Sequence, residues 1–250
     1  MTDASDVDVR AILLDIEGTT TPVAFVYEVL FPYARDHLRE FLQQQQLDQT
    51  RGLADLLSEF SAEQRADVAC GAAPPDWRND SAAAEVESLI HYIFWLMDQD
   101  RKSTALKSLQ GEIWEAGYLS GRLRGEVYPD VAPAFARWTR QQKRIYIYSS
   151  GSVLAQKLLF AHTTDGDLTS YLSGYFDTTT GAKREPASYQ SICRQIDLPA
   201  GELLFLSDVT AELAAAQKAG LQTTLCVRPG NAEGAANWPA SVHNFAAIFP

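Results

Sequence analysis

Four stretches of the sequence end in residues that could act on a phosphate. The apolar run Ala11–Leu14 ends in Asp15, with Glu17 two residues on and the turn residues Gly18, Thr19 and Thr20 behind it. The run Ile145–Tyr148 ends in Ser149 and Ser150, followed by Gly151. The stretch GAKREP carries Lys183, and the run LLFLSD ends in Asp208, four residues before Glu212. A carboxylate can serve as a covalent nucleophile toward phosphorus. Three acidic groups in one crevice repel each other, and a hard divalent cation relieves this. Mg²⁺ suits, since it takes oxygen ligands from one or two carboxylates and leaves places for water and substrate phosphate.

The remaining residues fit the same chemistry. Hydroxyls and backbone N–H groups at a helix N-terminus form an anion site, so Ser149 and Ser150 are candidate phosphate binders. Serine is also a favoured N-cap, and one of the pair can cap while the other binds. Lys183 is a compact charge able to neutralise phosphate, with Arg184 as its nearest competitor. Asp208 reads as a metal ligand or as a helix N-cap, with Glu212 in the first turn of that helix and a possible acceptor behind the metal. His37, His91, His162 and His243 form no cluster, and the aromatics of HYIFW read as the core of a helical region.

Such residues converge only if the right elements carry them. Short apolar runs bounded by turn residues read as buried parallel strands: Ala11–Leu14, Ile145–Tyr148, Leu203–Leu206, Thr223–Val227 and a weaker one near Tyr175–Asp177. Helical spacing falls between or before them at Val131–Gln142, Val153–His162, Pro186–Ile196 and Ala211–Ala219. That alternation predicts βαβ crossovers and an α/β fold with a parallel sheet. From Phe25 to Tyr118 the text is instead all helical. Its helices are expected at Phe25–Gln46 (interrupted by Pro32), Gly52–Phe60, Ala82–Met97 and Ser103–Tyr118, with a loop at Gly71–Asn79. The run Gln43–Gln46 reads as a solvated helix end. The economical reading is one α/β domain interrupted after its first strand by an all-helical insertion. In such sheets ligands sit beyond the carboxyl ends of the strands, where the reactive residues fall.

Composition narrows the partners. A 250-residue chain with net charge −11 and pI about 4.8 presents a surface that repels nucleic acid and anionic lipid. A small anionic substrate remains open, given a local cation in the site. Cys70, Cys193 and Cys226 lack metal-ligand spacing and read as buried free thiols of a reducing compartment. The opening MTDASDVDVR lacks the apolar segment of a signal peptide, and no apolar run reaches membrane-spanning length. A cytoplasmic protein is expected, and nothing demands more than a monomer.

LLDIEGTTTP, IYIYSSGS, GAKREPASY and LFLSDVTAE resemble the four motifs of the haloacid dehalogenase-like superfamily. Within it the chain is most similar to the E1 enolase-phosphatases, the acireductone synthases of methionine salvage. AFVYEVLFPYARDHL and CVRPGNA extend the likeness over nearly the full chain. Most superfamily phosphatases read Asp-x-Asp in the first motif; here the third position is Glu17, as in E1. The resemblance implies a Rossmann-like core, residues 1–22 with 124–250, and an inserted helical cap, residues 23–123. It implies Asp15 as nucleophile, Glu17 as acid/base, and Ser149, Ser150 and Lys183 on the substrate. One Mg²⁺ per subunit is implied on Asp15, Asp208 and the Glu17 carbonyl. The implied substrate is 2,3-diketo-5-methylthiopentyl-1-phosphate, enolised and then dephosphorylated to 1,2-dihydroxy-3-keto-5-methylthiopentene. The competing readings are another phosphatase of the superfamily, a metal-independent dehalogenase, and a non-catalytic binding protein.

Overall fold

The structure is a computed structural model that describes residues 8–48, 52–230 and 238–250. The opening residues 1–7 and the end of the CVRPGNA stretch lie outside that description. The chain divides into two compact units: the segment up to Glu28 with that from Ser120 on, and Val29–Leu119.

The first unit is an α/β fold built on a six-stranded parallel sheet, with strands in the order β3-β2-β1-β4-β5-β6. They are β1 Ala11–Leu14, β2 Arg144–Tyr148, β3 Leu172–Phe176, β4 Leu203–Ser207, β5 Gln222–Cys226 and β6 Ser241–Val242. The weak strand expected near Tyr175 begins earlier, at Leu172. The two-residue β6 is too short for any sequence pattern to mark. Flanking helices α5 (Val131–Arg140), α6 (Val153–Ala161), α7 (Pro186–Gln195) and α8 (Thr210–Lys218) follow the sequence reading closely.

Side chains alternate between the sheet's faces. Ala11, Leu13, Tyr146, Tyr148, Leu203 and Phe205 point into one core, shared with Tyr189 and Ile192 of α7 and Leu213 of α8. Their neighbours Ile12, Leu14, Ile145, Ile147, Leu204 and Leu206 are also buried. Both faces are therefore covered, which explains why these strands read as unbroken apolar runs. From β1 the chain proceeds outward to β2 and β3, then returns to the other side of β1 for β4, β5 and β6. The reversal puts the topological switch point between β1 and β4, where open α/β sheets bind ligands. Leu14 pairs with Leu206 across this point, so the residues just beyond both strands emerge side by side.

The second unit is helical: α1 (Phe31–Asp48), α2 (Leu53–Ala69), α3 (Ala82–Asp98) and α4 (Thr104–Leu119). The loop expected at residues 71–79 is present. Pro32 does not break its helix. Wider π-type turns at Phe25–Leu30 lead into α1 and accommodate a residue that lacks an N–H. Gln43 and Gln44 are exposed, as a solvated helix end requires; the side chains of Gln45 and Gln46 lie outside the description. Tyr92 is the centre of this core, edge-on to Phe60 and Trp77 and stacked on Trp95, with its hydroxyl donating to Asp67. Arg101 pairs with the other Asp67 oxygen. The HYIFW aromatics thus pack the unit's interior as expected, whereas Cys70 departs from expectation. It ends α2 and is exposed, while Cys193 and Cys226 are buried.

Candidate active site

Asp15 leaves β1 at the switch point and is 4% exposed. The chain then turns sharply: Ile16 O accepts N–H bonds from Thr19, Thr20 and Thr21. Gly18 takes φ 65°, a left-handed conformation that suits glycine. The Thr20 hydroxyl donates to Asp15 O, so the turn fixes the backbone of the carboxylate it follows.

Both Asp15 oxygens are held. Oδ1 accepts from Ile16 N at 2.7 Å and from Lys183 Nζ at 2.6 Å; Oδ2 accepts from Ser207 Oγ at 3.1 Å. Lys183 also reaches Glu212 Oε2 at 2.7 Å, and Ser207 Oγ lies 3.1 Å from the same oxygen. Asp15, Lys183, Glu212 and Ser207 therefore form a closed ring of polar contacts in a buried place. Burial alone would lower the Lys183 pKa, but Asp15 and Glu212 outweigh it and drive the ammonium well above its usual range. The lysine stays charged. Arg184, the competing cation, is exposed.

The acids around this ring show the opposite strain. Burial, then the Asp15 charge, raises the Glu17 carboxyl. The same two causes push Asp208 up to about 7. Glu212 is raised by burial and Asp15, against the pull of Lys183. Four carboxylates thus face one ammonium, and the local field calls for another cation. A Mg²⁺ ion fits that deficit. Among the described residues no three His, Cys, Asp or Glu side chains form a ligand set of their own. Mg²⁺ commonly takes one or two carboxylates and fills its remaining places with water and substrate oxygens, so it does not require three such side chains.

The capping alternatives are resolved locally. Helix α8 begins at Thr210 with Val209 at its N-cap and no side-chain cap bond, so Asp208 does not cap it. Helix α6 is capped by Ser152, whose Oγ accepts from Ala155 N, and not by either member of the Ser149–Ser150 pair. Ser149 is buried and accepts from Gly151 N; Ser150 is exposed. The Gln156 amide ties this loop by donating to Gly151 O and Phe176 O. His37 lies stacked on Tyr33, His162 ends α6 with its Nδ1 3.0 Å from Leu158 O, and His91 and His243 are exposed, so none of the four is placed with the site residues.

Two residues matter here that sequence reasoning did not single out. Ser207, the last residue of β4, looks like part of a strand and gives no periodic signal. Arg228, just past β5, is buried between the rings of Tyr128 and Phe245, with its guanidinium carbon 4.4 Å from each centroid. Its Nη1 donates to both Asp130 oxygens at 2.9 Å, and its Nε donates to Thr19 O at 3.0 Å. A buried cation thereby holds the turn behind Asp15 from below.

Comparison with known proteins places the chain in a family. The family model of haloacid dehalogenase-like hydrolases matches residues 9–220. Enolase-phosphatase E1 of Synechococcus elongatus is 51% identical over 96% of this chain and 97% of its own length. Enolase-phosphatase E1 of Cronobacter sakazakii is 48% identical over 88% of this chain and 89% of its own. Among solved structures, the UTR4 protein of Saccharomyces cerevisiae superposes with a TM-score of 0.77 at 38% identity, covering 96% of this chain and 100% of that one. The chain is a haloacid dehalogenase-like hydrolase and belongs to the enolase-phosphatase E1 family.

Proposed function

We propose that this enzyme converts 2,3-diketo-5-methylthiopentyl-1-phosphate to 1,2-dihydroxy-3-keto-5-methylthiopentene and phosphate, the enolase-phosphatase step of methionine salvage. One observation carries the reading: Asp15 stands at the switch point with Lys183 on one oxygen and Ser207 on the other. This is a buried carboxylate with both oxygens held, beside a cation able to receive phosphate. The core, residues 1–22 with 124–250, carries the chemistry, and residues 23–123 form the cap.

In the first half-reaction an Asp15 oxygen attacks phosphorus and the bond from phosphorus to the substrate oxygen breaks. The departing oxygen takes a proton from Glu17, whose raised pKa suits a proton carrier. Glu17 then removes a proton from water, which attacks the aspartyl phosphate, releases inorganic phosphate and restores Asp15. Lys183, Ser149 and Ser150 hold the phosphoryl oxygens, and positioning with charge stabilisation supplies most of the rate. Asp15, Asp208 and the Glu17 backbone carbonyl would hold one Mg²⁺, which screens the meeting of two anions. For the enolisation, Glu17 takes the proton from the carbon that bears the phosphate oxygen while the neighbouring ketone oxygen gains one from solvent, the longer arm of Glu17 reaching further than aspartate would. If Glu17→Asp kept full enol absorbance, arm length would not be the reason.

No helix among the described residues is long and apolar enough to cross a membrane. The discriminating experiment follows phosphate release and enol absorbance together, with and without Mg²⁺, on the diketo phosphate and a panel of sugar phosphates and nucleotides. The diketo phosphate should give the highest kcat/KM, and chelation should abolish phosphate release. A better sugar-phosphate or nucleotide substrate would assign the site to another small phosphorylated metabolite.

A further inference from the structure

The loop that carries Lys183 is held by three hydroxyls, one on each of three consecutive carbonyls. Tyr148 Oη donates to Gly181 O at 2.9 Å, Ser188 Oγ to Ala182 O at 2.7 Å, and Tyr189 Oη to Lys183 O at 2.7 Å. All three side chains are buried. Tyr148 ends β2, while Ser188 and Tyr189 lie in the first turn of α7. The two tyrosine rings meet edge to face, 5.6 Å between centroids, and Tyr189 rests on Phe205 of β4 at 5.2 Å. The loop is therefore fastened to the strands on both sides of β1, the strand that presents Asp15.

Gly181 leaves room for this fastening. Its φ is +143°, and a Cβ there would lie 2.2 Å from Ser188 Oγ. The missing side chain leaves the space that the Ser188 hydroxyl occupies. Burial raises both tyrosine hydroxyls above their usual range, so they remain protonated donors. A lysine side chain has four flexible carbons, so an accurate ammonium position requires a fixed backbone beneath it.

We propose that Tyr148, Ser188 and Tyr189 are positioning residues for phosphoryl transfer: they fix the carbonyls of residues 181–183 and so hold the Lys183 ammonium against Asp15 and Glu212. The inference rests on the reading of Lys183 as the charge that binds phosphate. A purely structural role would stabilise the fold equally with or without that charge, and this difference gives the test.

Inorganic phosphate is titrated calorimetrically, in the presence of Mg²⁺ and into the high millimolar range, against the full chain. The proteins are the wild type, Tyr189→Phe, Lys183→Met and the double variant. Tyr189→Phe should weaken phosphate binding about 5-fold where Lys183 is present, the scale of one hydrogen bond, and should have no effect in the Lys183→Met background. Equal weakening in both backgrounds, or none with Lys183 in place, would overturn the proposal. Lys183→Met binding phosphate as tightly as the wild type would instead remove the role assigned to Lys183. Melting curves confirm folding, and if Tyr189→Phe does not fold, Ser188→Ala takes its place in the same cycle with the same expectation.

Discussion

Lys183 Nζ lies 2.6 Å from Asp15 Oδ1, with side-chain exposures of 10% and 6%. This pairs the candidate nucleophile with its cation at the mouth of the switch point. Glu212 completes the arrangement from behind at 2.7 Å, so the lysine answers to two acids at once. A buried charge shared in this way is costly to leave unpaired, and several consequences can be measured.

Lys183→Met removes the ammonium and leaves Asp15 and Glu212 buried together. We expect a stability loss of about 3 kcal/mol, the usual cost of breaking a buried pair from one side. Phosphate release should fall about 100-fold, as when a charge-stabilising donor is lost. Thermal unfolding with steady-state kinetics checks both. A stable variant with near-normal turnover would show that the pair is incidental.

Ser207 offers one proton to two carboxylate oxygens, each 3.1 Å away, and also accepts from Val209 N. Ser207→Ala should leave the fold intact, cost about 1 kcal/mol of stability and lower turnover about 10-fold by freeing the Asp15 carboxylate. Substrate KM should move less than kcat. A change confined to KM would place Ser207 outside the alignment of the nucleophile.

Arg228 binds Asp130 through both carboxylate oxygens and reaches Thr19 O, while two rings enclose its guanidinium. A lysine cannot reproduce that planar fork. Arg228→Lys is therefore expected to destabilise by about 2 kcal/mol despite keeping the charge, the scale of the hydrogen bonds to a charged group that it loses. A melting temperature equal to that of the wild type would contradict this.

Thiol chemistry tests the packing independently. Cys70 is exposed, whereas Cys193 and Cys226 are buried and burial raises both of their thiols. A disulfide reagent should modify Cys70 rapidly in the native protein and the other two only after denaturation. Rapid native modification of Cys226 would show that the end of β5 is open.

The parts of this molecule that sequence revealed are those with a local signature. Apolar runs ending in Asp15, Ser149 and Asp208 mark strands covered on both faces, and the carboxyl-end rule puts their last residues in one crevice. Lys183 was identifiable only through the pattern around it, because a lysine before a helix is ordinarily solvated. Ser207 and Arg228 escaped because their roles depend on partners far away in sequence: Ser207 on Asp15, Arg228 on Thr19 and Asp130. Tyr148 reaches a carbonyl 33 residues away, whereas Ser188 and Tyr189 reach carbonyls six residues back; all three read as packing until their distances to the loop carbonyls are known. Cys70 was misjudged because burial depends on which face of α2 it occupies, and one residue at a helix end carries no periodicity.

Asp15 is the residue proposed to carry the phosphoryl group. Rapid acid quenching during turnover of the diketo phosphate, followed by peptide mapping, tests it directly. A hydroxylamine-labile phosphate is expected on the peptide containing Asp15, absent in Asp15→Asn together with phosphate release. Covalent phosphate on any other residue, or unchanged phosphate release by Asp15→Asn, would contradict it.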